Sequence, residues 1–288
     1  MSGGADRGSV AILAGSGRLP IQIADRLVES GRTVRILAFR GFADRVMRER
    51  ADAVVGLLDV GRAVSWLDSW RPDSVTLAGA VSRPSPAAVV DAFSLLRDRS
   101  EVAAVAAKGD DNLLRGVVML LEERGHRLVG VRDLAPELLA AACLYGRIEP
   151  EGADRLAMQV GFDLLRALSP FDIGQSAVVR GEHVLAVEGP EGTDRMLGRV
   201  AKLGVSLPFW RRTAVGGILV KGPKDGQDLR IDLPTIGPRT VIAASRAGLR
   251  GIAVVSGCTL VVERERTVAE ADRRGLFLLG VPAPGRAG

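Results

Sequence analysis

The sequence has little of the chemistry that small extracellular frameworks and metal cages need. Its 288 residues include two cysteines, Cys143 and Cys258, too few for a disulfide framework, and no CxxC spacing of a zinc site. Both read as small buried hydrophobes of a reducing compartment. Histidine is equally scarce: His126 and His183 stand beside expected strands with no triad pattern near them. GxSxG and HExxH are absent, which disfavours a nucleophilic serine hydrolase. No stretch approaches about 18 uninterrupted apolar residues, so no membrane span is expected. The opening MSGGADRGSV lacks a basic segment followed by an apolar one, so no signal peptide is expected and the protein reads as cytoplasmic. Aromatic residues make up only 4%, which leaves Val, Leu, Ile and Ala to fill the cores.

Lysine is the last scarcity. It occurs only at Lys108, Lys202, Lys221 and Lys224, while arginine supplies the other 35 of 39 basic residues. In so arginine-biased a chain a lysine can mark a place that needs a compact ammonium. Three of the four stand in glycine-containing segments, KGDD and KGPK; chance competes with function for so small a count. The net charge of +5 suits nucleic acid, anionic lipid or phosphorylated substrates. Nucleic acid is disfavoured, because the basic residues form no long runs and no aromatics interleave with them.

What is present is a globular composition, 47% hydrophobic and 25% charged, in a chain long enough for two domains. The first half alternates apolar runs with helical spacing. Strands are expected at 9–15, 33–39, 51–57, 74–80 and 126–131, with helices over 18–30, 61–70, 86–98 and 111–124. That β-α-β order predicts an α/β fold with a Rossmann-like parallel sheet in an N-terminal domain, 1–142. A proline-containing junction is expected at 143–150. A second, mixed α/β domain, 151–288, opens with a helix over 151–168. A hairpin over 176–189 turns at Gly181. Helices at 191–202, 238–247 and 264–274 then alternate with strands near 215–221, 229–233, 251–255, 259–263 and 275–281.

Four stretches carry chemistry. Gly15-Ser16-Gly17-Arg18 forms a glycine-rich turn from strand to helix, which suits a phosphate or simply a tight turn. Pro20 stands where the dinucleotide fingerprint wants glycine, and Phe39-Arg40 replaces the acidic residue after the second strand, so NAD is disfavoured. An NADP-binding oxidoreductase with Arg40 on the 2′-phosphate remains the main rival, and a basic nonenzymatic binding protein the last. Lys108-Gly109-Asp110-Asp111 opens a helix: one aspartate reads as a cap, and Lys108, Gly109 and Asp111 as substrate contacts. Glu188-Gly189-Pro190-Glu191-Gly192-Thr193-Asp194 sets three carboxylates and a hydroxyl on a glycine turn, equally a magnesium site or a capped, solvated helix start. The densest stretch, Lys221 to Pro238, joins two lysines, Arg230, three aspartates and a rigid glycine- and proline-rich loop, which favours function. If 229–233 is a strand, Asp228, Arg230 and Asp232 share one face.

Together AGSGRLP (14–20), AGAVSRP (78–84), KGDDNLLR (108–115), DIGQSAVV (172–179), VLAVEGPEGTDRML (184–197), LVKGPKDGQDLRIDLPTIGP (219–238), AGLRGIAV (247–254) and GLFLLGV (275–281) resemble the UDP-2,3-diacylglucosamine pyrophosphatase family of lipid A synthesis, the type unrelated to calcineurin-like phosphoesterases. The resemblance implies two α/β domains with the substrate lodged between them. It implies hydrolysis of UDP-2,3-diacylglucosamine to UMP and 2,3-diacylglucosamine 1-phosphate (lipid X), with Mg2+. Asp232 of DLPTIG would be the key acid, joined by Lys221 and Arg230. Substrate contacts would come from Gly15, Ser16, Gly17, Arg18, Arg83, Ser85, Ala106, Ala107, Lys108, Gly109, Asp111, Gln175, Thr193, Lys224 and Gln227. Metal ligands would come from Glu188, Glu191, Asp194 and Asp228. The chain departs from the family's KAPKPGQ, reading KGPKDGQ with Asp225 in place of a proline, and carries Gly61-Arg62 where a glycine-lysine pair is usual. The implied partners are an amphipathic lipid-nucleotide and the inner membrane surface, touched peripherally; a homodimer is left open.

Overall fold

The computed structural model of the chain describes residues 8–57, 59–81, 110–205 and 216–283. The chain divides into two compact units, Met1–Ala135 and Pro136–Gly288. In the first, β1 (Val10–Ala14), β2 (Val34–Phe39), β3 (Ala53–Val55) and β4 (Ser74–Ala78) form a parallel sheet in the order β3-β2-β1-β4. β1 is VAILA, buried at all five positions, as a strand covered on both faces requires. The connecting helices are α1 (Leu19–Glu29), α2 (Arg45–Arg50) and α3 (Val60–Trp70), followed by α4 (Asp110–Glu123). α1 turns Ile21, Ile23, Ala24 and Leu27 inward, a single helical stripe.

The strand expected over 126–131 shrinks to one bridge, Leu128 beside Val75. Gly130 leads at once into the short α5 (Val131–Leu134), and the buried His126 turns its Nε2 to Asp68 Oδ1 at 3.0 Å. The helix expected over 86–98 lies outside the described residues.

The second unit is built on a mixed five-stranded sheet, β11-β9-β7-β5-β6, with β5 (Ser176–Arg180), β6 (His183–Val187), β7 (Ile218–Lys221), β9 (Gly251–Val255) and β11 (Phe277–Val281). β7, β9 and β11 run parallel; β5 is antiparallel to both β7 and β6. A two-stranded parallel sheet pairs β8 (Thr235–Ile236) with β10 (Leu260–Val261). Strand alternation sorts the core into two layers. Val178, Leu219, Ile252, Val254 and Leu278 pack with Met196, Leu197 and Val200 of α7 (Thr193–Val205) and Val241 and Ala244 of α8 (Pro238–Arg246). Ala177, Val179, Ile218, Val220, Ala253 and Phe277 face the opposite way, onto Ala157, Met158, Phe162 and Leu165 of α6 (Gly152–Leu168). α9 (Arg264–Arg273) adds Ala271 to the first layer.

The junction expected at 143–150 lies inside this unit. Leu144 bridges antiparallel to Leu279, Tyr145 N–H donates to Leu278 O at 2.9 Å and Gly280 N–H to Cys143 O at 2.9 Å. The segment thus satisfies backbone groups on the outer edge of β11, which would otherwise stand open. Pairing of this kind is invisible in proline and glycine content. The cysteines also differ from expectation: Cys143 is exposed and Cys258 only half-buried, and both are free.

Candidate active site

The carboxyl end of β7 sets the first half of the site. Lys221 closes that strand opposite Ser176, the first residue of β5, and both are buried. An ammonium taken out of water needs partners. Lys221 Nζ donates to Thr193 Oγ1 at 2.7 Å and lies 3.6 Å from Glu188 Oε2. The same Glu188 oxygen accepts from Ser176 Oγ at 2.5 Å and from Thr193 Oγ1 at 3.0 Å. Four residues from β5, β7, the end of the hairpin and the start of α7 therefore form one closed polar cluster. Gly174 lets the chain enter it: its φ is +45°, and a Cβ there would collide with Glu188 O.

Asp232 forms the second half. Its Oδ2 accepts two side-chain amides, from Gln175 Nε2 at 2.6 Å and Gln227 Nε2 at 2.6 Å. Gln175 immediately precedes Ser176, and its carbonyl accepts from Gly222 N–H at 3.0 Å. The dipeptide Gln175-Ser176 thus joins the Asp232 half to the Lys221 half.

The strand expected over 229–233 is absent. Ile231 N–H and Asp232 N–H both donate to Asp228 O, at 3.1 and 3.3 Å, so the segment is a turn. Leu233-Pro234 then leads into β8. The shared face of Asp228, Arg230 and Asp232 disappears with the strand. Arg230 instead grips Asp228, with its Nη2 2.7 Å from Oδ2 and its Nε 3.0 Å from Oδ1. A backbone N–H two residues on, Arg230 N to Asp228 Oδ1 at 3.0 Å, makes Asp228 a turn-former. Lys224 pairs with Asp172, and Asp225 is exposed, with its N–H donating to Ser169 Oγ.

The four carboxylates expected as magnesium ligands do not converge. Glu188 sits in the Lys221 cluster and Asp228 on Arg230. Glu191 meets Arg199 at 2.5 Å, and Asp194 meets Arg239 at 3.4 Å. Glu191's carboxyl is held below its ordinary range first by its own backbone N–H and then by Arg199. Among the described residues no three His, Cys, Asp or Glu gather as a metal site. Glu188, Glu191, Asp194 and Asp228 thus do not gather around one ion.

In the first unit the Gly15-Ser16-Gly17 turn closes on the exit of β4. Ser16 N–H and Ser16 Oγ each donate to Ala80 O at 2.8 Å, and Ala80 N–H returns a bond to Ser16 O at 3.0 Å. A Cβ on Gly15 would meet Ala80 O at 2.6 Å, so this glycine permits the approach of two backbones. The Ser16 amide is thereby engaged with the protein itself. Arg18 stands before α1 and caps it with no side-chain bond. Arg83, Ser85, Ala106, Ala107, Lys108 and Gly109 lie outside the described residues, and Asp111 is described only as helical backbone in α4.

The model of the LpxI N-terminal domain matches residues 9–138, and that of the LpxI C-terminal domain matches residues 141–279. A curated protein of Caulobacter vibrioides, UDP-2,3-diacylglucosamine pyrophosphatase LpxI, is 38% identical over 272 residues, covering 94% of this chain and 97% of that protein. The chain belongs to the LpxI family. Both halves of the site described above, from Gln175 to Asp232, fall in the LpxI C-terminal domain.

Two residues of that domain escape a reading by motif. Ser176, fully buried, gives Glu188 its shortest bond, and Asp172 is the partner of Lys224. The signal for Ser176 lay in DIGQS itself: a polar residue opening an otherwise apolar strand needs a partner inside. No helix among the described residues is long and apolar enough to cross a membrane.

Proposed function

We propose that this protein hydrolyses the pyrophosphate bond of UDP-2,3-diacylglucosamine, releasing UMP and lipid X, in lipid A synthesis. The observation that carries the reading is the 38% identity, across nearly the full length of both chains, to the Caulobacter vibrioides pyrophosphatase. The site chemistry is consistent with it. Displacement at phosphorus asks chiefly for positioned groups and neutralised charge. Asp232, fixed by two amides, is the group we assign to orienting the attacking water and accepting its proton. Lys221, held at a strand end, supplies positive charge toward the diphosphate. Lys224 is assigned to the substrate on the same grounds, and Thr193 as a neutral hydroxyl beside the phosphate oxygens. Arg230 acts at one remove, by stiffening the turn that carries Asp232.

Magnesium belongs to this proposal as an ion carried on the substrate's diphosphate, since it binds through few carboxylates and favours phosphate oxygens. The protein is proposed to work in the cytoplasm, against the inner membrane surface where a diacylated substrate resides. An oxidoreductase or a nonenzymatic basic protein gains nothing from the family match.

The test is product identification. Purified protein given UDP-2,3-diacylglucosamine should release equimolar UMP and lipid X; EDTA should suppress release and added magnesium restore it. Folded protein that yields neither product overturns the proposal.

A further inference from the structure

We infer that Gln175 and Gln227 are positioning residues for Asp232 rather than contacts to the substrate, an inference that rests on the hydrolytic reading above. The two amides reach one carboxylate oxygen, Oδ2, each at 2.6 Å. They come from different segments, one just before β5 and the other in the loop after β7. A half-buried aspartate at the end of a turn has several side-chain rotamers open to it. Two donors arriving from separate backbones select one of them and fix the carboxylate plane.

Both glutamines are themselves immobilised. Gln227 Oε1 accepts Lys224 N–H at 3.0 Å, and its own N–H donates to Lys224 O at 3.2 Å. That first bond settles the orientation of the amide: with the oxygen occupied by a donor, the NH2 group is the end that faces Asp232. Gly226, at φ +75°, lets the turn close. Gln175 is pinned by the bond from Gly222 N–H to its carbonyl and by the buried Ser176 that follows. On its other side, Gly174 sits where a Cβ would strike Glu188 O.

The choice of amides is chemically specific. They are neutral donors that neither gain nor lose a proton across the working pH range. They hold the Asp232 carboxylate in place without themselves titrating. Both use Oδ2.

The experiment compares Gln175→Met and Gln227→Met with wild type and with Asp232→Ala, using UDP-2,3-diacylglucosamine. Methionine keeps the side-chain length and removes the donor. Each Met variant should lose about 10–100-fold in kcat, the loss of one hydrogen bond to a charged group. KM should stay within about twofold, as for a group felt only in the transition state. Raised KM with unchanged kcat would make the glutamines substrate contacts and overturn the inference, as would unchanged kcat and KM. Inactive Asp232→Ala beside fully active glutamine variants removes the clamp alone. Fully active Asp232→Ala removes the hydrolytic reading of the site with it. Should a Met variant melt early, Gln→Leu at the same position replaces it: the side chain is shorter and carries no donor. A Leu variant that melts like wild type and keeps kcat overturns the inference.

Discussion

At the scale of single residues, the Lys221 cluster shows how costly its parts are to separate. Glu188 and Lys221 side chains are 13% and 7% exposed, so each charge depends on the other and on two hydroxyls. The two deletions are unequal. Lys221→Met keeps the apolar stem and leaves Glu188 accepting from Ser176 and Thr193. Glu188→Leu leaves an ammonium in the protein with only a hydroxyl to meet it. Glu188→Leu should destabilise by about 3 kcal/mol, as when one member of a buried ion pair is removed. Lys221→Met should cost about 1–2 kcal/mol, nearer the loss of a hydrogen-bond donor. Urea unfolding of both variants reads the difference, and equal losses would mean that the hydroxyls do not carry Glu188. The sequence made Lys221 conspicuous through the rarity of lysine, and Asp232 through its rigid loop. It could not tell which carboxylate each cation takes. Arg230 was expected to share a face with Asp228 and Asp232; the segment is a turn instead, and it carries Arg230 back onto Asp228.

At the scale of elements, the apolar runs were legible because strand and helix periods differ. β1, β7, β9 and β11 fall within runs identifiable by eye, and α6 and α8 end within a residue or two of the expected limits. Misreadings came where local pattern and tertiary pairing disagree. The stretch 229–233 alternates charged and apolar residues like a strand, yet an aspartate at its start closes a turn. The stretch 143–150 has the composition of a linker, yet its first residues, Cys143 to Tyr145, lie along β11. That docking depends on one close approach, since a Cβ at Gly280 would collide with Ala141 O. Gly280→Ala should therefore push residues 141–145 off the edge and cost about 1–3 kcal/mol, the range of overpacked sites. Hydrogen exchange should quicken at Tyr145 and Gly280, whose amides bond across this seam. Unchanged protection there would show that the seam tolerates the methyl group.

At the scale of the molecule, the chain holds two α/β units. The first offers a parallel sheet whose glycine turn is engaged with its own β4 exit. The second gathers Lys221, Thr193, Gln175, Gln227 and Asp232 at the ends of β5, β7 and the loop that follows. Hydrolysis through Asp232 is what we propose for this cluster. Steady-state kinetics of Asp232→Ala on UDP-2,3-diacylglucosamine, with a thermal melt of the same preparation, tests it most directly. The variant should melt like wild type, keep KM little changed and lose about 100-fold or more in kcat, the contribution of a positioned general base. A variant that melts like wild type and turns over at the wild-type rate would contradict it.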